Sequence, residues 1–141
     1  MMKTSEKYKL TLPNDVEAVP RLASFIEEVA ESHGADISVT MSINLALEEA
    51  VVNVMNYAYP EGTRGEIDIT ASFSDNTLIF TISDAGAPFD PTKVSDPDTS
   101  LSAEERPIGG LGIHLVRQIM DEVSYRYENN RNMLTLKKKI N

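Results

Sequence analysis

Polar side chains interrupt the stretch LEEAVVNVMNYAYP, residues 47–60, which otherwise has the composition of a buried helix. Carboxylates and primary amides are costly to bury without partners, so a core helix that carries them indicates a ligand, a metal ion or a polar network. On a helix, Glu49, Asn53 and Asn56 fall within an arc of about 60°, whereas Glu48 points elsewhere. An amide and a carboxylate one turn apart can hold Mg²⁺ and accept a proton from a hydroxyl. An isolated Glu-x-x-x-Asn pair is also common on a solvated helix face.

A second candidate is Asp84 in the stretch SDAGAPFDP, residues 83–91. Asp84 ends an apolar strand, and Gly86 allows the backbone to turn close to whatever the carboxylate holds. The carboxylate could accept a hydrogen bond from an exocyclic amine. The alternative for this stretch alone is an ordinary Asp-x-Gly turn.

A third candidate is the glycine-rich stretch PIGGLGIHLVRQIM, residues 107–120. Gly109, Gly110 and Gly112 precede an amphipathic helix, so free backbone N–H groups and the positive end of the helix dipole form an anion site. The stretch has neither the Lys-Ser or Lys-Thr of a Walker loop nor the glycine spacing of a dinucleotide-binding fold. The alternative is that the glycines only ease the start of the helix. His114 is expected on the helix surface.

Composition limits the classes of protein that can use these residues. The chain has 141 residues, 41% of them hydrophobic, which fits one domain with a sizeable core. The chain has no cysteine, which excludes disulfides and thiol nucleophiles. A net charge of -9 disfavours electrostatic binding to nucleic acid or to an anionic membrane. We expect a cytoplasmic protein, because no signal peptide or apolar run of about 20 residues is present.

The elements that must position the three candidates follow from hydropathy and turn signals. Residues 87–108 are rich in Pro, Asp, Ser and Thr and predict an irregular segment. Loops this long inside a compact domain are usually functional lids or disordered, and we expect a lid here. Because strands and helices do not alternate strictly, we expect an α+β two-layer sandwich, with helices on one face of a mixed, mostly antiparallel sheet. Patterning predicts strands at 7–12, 66–74, 77–83, 123–127 and 133–140, and helices from Asn14 or Asp15 to His33, from Ser38 or Thr40 to Pro60, and at 111–120. Gly34 is expected to close the first helix, and hairpin turns are expected at Asp75-Asn76 and Asn129-Asn130.

In this order, the motifs resemble those of the Bergerat-fold ATPases of the GHKL superfamily, and among them the small anti-sigma factor serine kinases of bacterial partner switching. EEAVVNVMNYAY is similar to the N box of that family, DAGAPFDP to its G1 box and GGLGIHLVRQIMDEV to its G2 box. The resemblance covers nearly the whole chain as a single domain, residues 1–141, and implies a Bergerat fold of the α/β class.

The resemblance also implies ligands and roles for individual residues. ATP and Mg²⁺ would be bound, a small antagonist protein would be phosphorylated on serine, and a sigma factor or other effector would be held and released. Arg106 would reach a phosphate or a partner, or would be a solvated lid residue. The implied roles are general base for Glu49, Mg²⁺ ligand for Asn53, acceptor from the adenine amino group for Asp84, backbone contact under the base for Gly86, and phosphate cradle for Gly110, Leu111 and Gly112.

The last strand departs from the family pattern. Many relatives carry a Gly-Thr pair there, whose hydroxyl assists nucleotide binding, whereas this chain has RNMLTLKK, with Asn132 near that place and Thr135 further along. The first strand, KYKLTL, is expected at the sheet edge, and relatives form homodimers through this side of the sheet.

Two alternatives share the same motifs. In one, ATP binding only stabilises a partner-binding surface and Glu49 does not take part in phosphotransfer. In the other, the chain is the catalytic domain of a histidine kinase. We expect the histidine kinase to be the poorer fit, because the chain begins almost at its first strand, without a phosphoacceptor helix pair.

Overall fold

The computed structural model describes residues 7–57, 59, 65–93 and 110–140. Within them the chain forms five strands, three α-helices and two short 3₁₀ turns. Their order is β1 (Lys7–Pro13), a 3₁₀ turn (Val16–Ala18), α1 (Pro20–Ser32), α2 (Ile37–Tyr57), β2 (Glu66–Ser74), β3 (Thr77–Asp84), a second 3₁₀ turn (Pro91–Lys93), α3 (Gly110–Ile119), β4 (Glu122–Glu128) and β5 (Arg131–Lys139).

The strands form one sheet in the order β1-β2-β3-β5-β4, and all of its pairings are antiparallel. The predicted hairpin turns are confirmed: Asp75 and Asn76 have φ of 51° and 59°, and Asn129 and Asn130 have φ of 54° and 61°. Two consecutive residues with positive φ match the right-handed twist of the strands they join, and Asn and Asp tolerate that conformation.

The helices cover one face of this sheet, as the sequence predicted. Alternate strand residues such as Ile67, Ile69, Phe80 and Leu136 are fully buried and belong to one hydrophobic core with residues of all three helices. α2 lies in the middle of the helical layer, where it packs against both α1 and α3. The fold is therefore an α+β two-layer sandwich.

The starts of the first two helices differ from the sequence prediction. Asp15 caps only the first 3₁₀ turn, and α1 begins at Pro20, whose fixed φ suits the first helical position. α2 is capped by Asp36, whose Oδ1 accepts from Val39 N at 2.8 Å, rather than by Ser38 or Thr40. Gly34, with φ of 79°, ends α1 as expected, because this conformation is left-handed.

α2 is long and apolar enough, from Ile37 to Asn56, to cross a membrane by length and composition. Core helices of soluble proteins have the same composition, and in this structure Ile43, Leu47 and Val51 are fully buried in the core. We therefore interpret α2 as a core helix of this fold.

Candidate functional site

An open cleft lies between the middle of α2, the end of β3, the start of α3 and the β4–β5 hairpin. Its walls are mainly apolar and carry a few polar groups, which is the usual character of a small-molecule site. Two predicted site residues, Asn53 and Asp84, both line this cleft. The lining comprises Ala50, Asn53, Val54, Ile82, Asp84, Phe89, Pro91, Ile113, Tyr125, Asn132 and Leu134.

Asn53 lies on the part of α2 that borders the cleft. Its neighbours Ala50 and Val54 also line the cleft, and Asn53 itself is only 6% exposed. The side-chain amide makes no hydrogen bond within the part of the chain that the structure describes, so it is available to a ligand. Glu49 lies one turn earlier on α2, half-buried and outside the cleft lining, and Asn56 is exposed.

Asp84 ends β3 with its carboxylate buried, at 1% exposure. Its Oδ1 accepts from Gly86 N at 2.9 Å and from Asn132 Nδ2 at 2.9 Å. The contact with Gly86 forms the Asp-x-Gly turn that the sequence analysis considered as the alternative to a ligand site. Asp84 both forms this turn and lines the cleft. Among the described residues no hydrogen bond reaches Oδ2, which leaves one carboxylate oxygen for a donor from a ligand.

Burial raises the pKa of Asp84 above its ordinary value of 3.8, and the donors around it lower the pKa by a smaller amount. The donors are the Asn132 amide and the Gly86 backbone N–H, and the positive charge of Arg131 lowers the pKa as well. Arg131 itself lies on the opposite face of the sheet, where it bonds Ser83 Oγ at 2.8 Å and Asp68 Oδ2 at 3.1 Å. A further donor at Oδ2 would favour the ionised carboxylate.

Asn132 is a site residue whose role the sequence analysis did not predict. It lies directly opposite Asp84 in the β3–β5 register and is 5% exposed. Its Nδ2 also donates to Ala87 O at 2.9 Å, while its Oδ1 accepts from Phe89 N at 3.0 Å and from the Tyr125 hydroxyl. The turn at 129–130 fixes the register of β4 with β5, but the non-local pairing of β5 with β3 has no local sequence signal.

Thr135 does not replace the missing hydroxyl of the family pattern. Its side chain lies on the other face of β5, where its Oγ1 is 3.4 Å from Thr81 Oγ1. Of the two residues considered for that contact, Asn132 lines the cleft and Thr135 does not.

Tyr59 is a second residue that the sequence analysis missed. It is 8% exposed, and its hydroxyl donates to Glu66 O at 2.8 Å and accepts from Ala85 N at 3.1 Å. These bonds join the end of the α2 segment to the start of β2 and to the residue that follows Asp84. Gly65 allows this approach, because a Cβ there would be 2.4 Å from the Tyr59 ring.

α3 begins beside the cleft. Gly110 is its first residue, Leu111 and Gly112 lie in its first turn, and Ile113 lines the cleft. The first N–H groups of a helix have no partner within the helix and carry the positive end of its dipole, so this end can receive an anion. His114, expected on the surface, is half-buried and outside the cleft lining.

Part of the predicted lid contributes to the cleft. Phe89 and Pro91 line it, and Asp90 caps the short 3₁₀ turn through Thr92 N at 2.9 Å. The remaining lid residues, 94–108, including Arg106, lie outside the described residues, as does Gly109.

Comparisons with known proteins agree with this geometry. The serine-protein kinase RsbW of Bacillus cereus (strain AH820) is 29% identical over 141 residues, a match that covers 97% of this chain and 88% of the relative. The protein of the same name from Bacillus thuringiensis (strain Al Hakam) is also 29% identical, with the same coverage. The crystal structure of the RsbU and RsbW domains of Rv1364c from Mycobacterium tuberculosis has a TM-score of 0.68 at 18% identity, covers 96% of this chain and 32% of that chain, and supports the fold.

The family model described as a histidine kinase-like ATPase domain matches residues 12–138, which include every described α-helix and all of β2 to β4. The resemblance inferred from the three sequence boxes is thereby confirmed. The chain belongs to the histidine kinase-like ATPase domain family.

Proposed function

We propose that this protein is an ATP-dependent protein serine kinase that acts as an anti-sigma regulatory factor in a partner-switching pathway. Its relatives are named serine-protein kinases, and its family binds ATP. The observation that carries the proposal is the buried Asp84 carboxylate in an apolar cleft that is also lined by Asn53. Within the part of the chain that the structure describes, neither Asp84 Oδ2 nor the Asn53 amide makes a hydrogen bond, so both can meet a ligand.

Adenine fits the base-binding end of this cleft. Its amino group would donate to Asp84 Oδ2, and the apolar walls, which include Ile82, Phe89 and Leu134, would enclose the ring. Gly86 N donates to Asp84 Oδ1 in the turn after β3. Because glycine has no side chain, the backbone at this position could lie close beneath the base. The start of α3, with Gly110, Leu111 and Gly112, would receive the phosphates.

Asn53 is the residue that would hold Mg²⁺. The described residues contain no group of three or more His, Asp or Glu side chains that could form a metal site from protein alone. Magnesium in phosphotransfer sites is commonly held by one or two protein oxygens together with substrate phosphates and water, so a single amide ligand fits this use. Bound Mg²⁺ would offset the charge of the phosphates in a chain whose own net charge is -9.

Glu49 would accept the proton of the attacking serine hydroxyl. The serine oxygen then forms a bond to the γ-phosphorus as the bond from that phosphorus to the β–γ bridging oxygen breaks, and ADP leaves. Among the described residues Glu49 makes no hydrogen bond or ion pair, so its carboxylate is available. We also propose that Arg106 contacts a phosphate or the partner protein.

The regulatory cycle would follow from nucleotide state. With ATP bound, the protein would hold a sigma factor or other effector, and it would release that effector on capturing and phosphorylating the small antagonist protein. It would act in the cytoplasm without direct contact with nucleic acid or membrane, as its acidic charge favours.

A second candidate is an ATP-binding module that holds a partner without phosphotransfer. The observation that favours it is the position of Glu49, which is half-buried and does not line the cleft. A general base must come within hydrogen-bond reach of the hydroxyl that it deprotonates, although such contacts often tighten only when substrate is bound.

Two substitutions on α2 separate these candidates. Glu49→Gln keeps the shape of the side chain but cannot take a proton, so MgATP should bind as to the wild type while phosphotransfer falls by about 10² or more. Asn53→Ala removes the metal ligand, so MgATP affinity and phosphotransfer should fall together. The assay follows radiolabelled phosphate from ATP to the antagonist serine, with nucleotide binding measured on the same samples. If the wild type binds ATP but transfers no phosphate to a cognate antagonist, the kinase proposal fails and the binding module stands.

We further propose that the protein forms a homodimer through β1. β1 is an edge strand that pairs only with β2 in the described sheet, so its outer backbone groups are open to another chain. The apolar side of β1 does not itself require a partner, because Leu12 is fully buried in the hydrophobic core. Light scattering at tens of micromolar should give the mass of two chains, and a monomer would contradict the proposal.

A further inference from the structure

Asn132 uses its whole hydrogen-bonding capacity inside the protein. A primary amide offers two N–H donors and two acceptor lone pairs. The two donors meet Asp84 Oδ1 and Ala87 O, and the oxygen accepts from Phe89 N and from the Tyr125 hydroxyl. A buried amide that is satisfied in this way fixes the position of every group it contacts.

The groups that Asn132 contacts come from three separate parts of the fold. Asp84 ends β3, Tyr125 lies on β4, and Ala87 and Phe89 belong to the loop that leaves β3. The loop residues are bonded through a backbone carbonyl and a backbone N–H, so their positions do not depend on their own side chains. Asn132 therefore sets both the rotamer of the Asp84 carboxylate and the path of the loop beside it.

We propose that Asn132 is a positioning residue that forms the base-binding end of the cleft before nucleotide arrives, with Tyr125 holding its amide in place; this inference rests on the proposed ATP site. By occupying Asp84 Oδ1, Asn132 leaves Oδ2 alone to receive the amino group of adenine. By holding Phe89 N, it keeps the Phe89 ring in the cleft wall. A site formed in advance loses less conformational entropy when the ligand binds.

A threonine in this position cannot make the same set of hydrogen bonds. Its hydroxyl has one hydrogen, so it can donate to Asp84 or to Ala87 but not to both. Its side chain is also shorter and has no second polar atom for Phe89 N. Asn132→Thr, which places the residue of the family pattern in this chain, is therefore the informative substitution.

The first measurement uses the protein without nucleotide. Hydrogen exchange by NMR should show a protected Phe89 amide in the wild type and exchange at least tenfold faster in Asn132→Thr, with the amides of β2 and β3 unchanged. Tyr125→Phe removes the hydroxyl, which donates to Asn132 Oδ1 and also accepts from the Phe89 backbone N–H, so it should raise the Phe89 exchange rate as well, by a smaller factor than Asn132→Thr. Thr135→Val is the matched control, because Thr135 lies on the same strand but on the other face of the sheet. The Phe89 amide of this variant should exchange at the wild-type rate.

The second measurement compares two ligands by calorimetry. Asn132→Thr should weaken MgATP binding about tenfold or more, the scale for one unmade buried hydrogen bond, while magnesium tripolyphosphate, which lacks the base, binds as to the wild type. Equal loss for both ligands would indicate a general defect and would overturn the proposal, as would unchanged Phe89 exchange. If the wild type binds neither ligand while Phe89 exchange still depends on Asn132, the proposed ATP site fails and the positioning of the loop stands.

Discussion

Asp84→Asn tests the base-binding end of the cleft most directly. Gly86 N and Asn132 Nδ2 both donate to Asp84 Oδ1, and an asparagine oxygen at the same place can accept both bonds. The new amide nitrogen must then occupy the position of Oδ2. A group that accepts a hydrogen bond from the adenine amine is thus replaced by one that presents a donor to it.

The expected loss follows from this exchange. A hydrogen bond to a charged group contributes about 1.5 to 3 kcal/mol, and two facing donors add the cost of an unsatisfied buried amine. We therefore expect MgATP affinity to fall by about 2 kcal/mol or more, which is roughly a 30-fold rise in Kd. GTP should bind poorly to the wild type, because guanine presents a carbonyl where adenine presents its amino group.

The same substitution should act in the opposite direction on the stability of the protein without nucleotide. Burial raises the pKa of Asp84, so the folded protein holds this proton more tightly than the unfolded chain. That contribution to stability is complete below the ordinary pKa of 3.8 and is lost as the pH rises through the raised pKa of the folded state. At pH 7 the buried charge is therefore unfavourable, and an asparagine avoids it.

Calorimetry and urea denaturation on the same samples check both effects. At pH 7, Asp84→Asn should bind MgATP weakly and unfold at the same urea concentration as the wild type or a higher one, with the difference shrinking as the pH falls towards about 4. Equal affinity of the wild type for ATP and GTP would refute Asp84 as the reader of the base. A nucleotide-free variant that is clearly less stable than the wild type at pH 7 would refute the account of its burial.

The remaining predictions concern Tyr59 and its neighbours. Tyr59→Phe keeps the ring but leaves Ala85 N and Glu66 O without their partner, so unfolding in urea should need about 1 to 3 kcal/mol less, and an unchanged midpoint would contradict the two bonds. Gly65→Ala places a Cβ 2.4 Å from the buried ring, so we expect a loss of about 1 to 3 kcal/mol from overpacking, and wild-type stability would show that the ring can move. Gly34→Ala is the comparison for the second change: its site has no atom within 4 Å but a φ of 79°, so any loss there comes from backbone strain alone.

Local sequence signals predicted the elements and the turns well, because each has a local physical cause. The Asx residues at both hairpins, Gly34 after α1 and the apolar stripe of α2 specify their structures without help from the rest of the chain. The helix starts were less accurate. Asp36, Ser38 and Thr40 can all cap a helix, and Thr40 proves to lie inside α2, where its Oγ1 donates to Asp36 O at 2.8 Å.

The site was predictable only where chemistry and spacing are local. Asn53 and Asp84 stood out because polar groups in apolar segments need partners, and the structure places both in one cleft. Asn132, Tyr125 and Tyr59 were missed because their roles arise from contacts between distant segments. The register that sets Asn132 opposite Asp84 joins positions 48 residues apart, and no pattern within either strand encodes it.

The polar groups in the core explain how stability and nucleotide binding depend on each other. Asp84 is buried at a cost that Asn132, Gly86 and Arg131 reduce but do not remove, since its pKa stays raised. Among the described residues no donor reaches Oδ2, and a ligand amine would supply one. The folded state should therefore be stabilised most by a ligand that donates to this oxygen. By mass action, nucleotide at 100 times its Kd would stabilise the fold by about 2.7 kcal/mol. We therefore expect the buried charge of Asp84 to lower the free energy of unfolding of the nucleotide-free protein. A bound base whose amino group donates to Oδ2 should offset this loss.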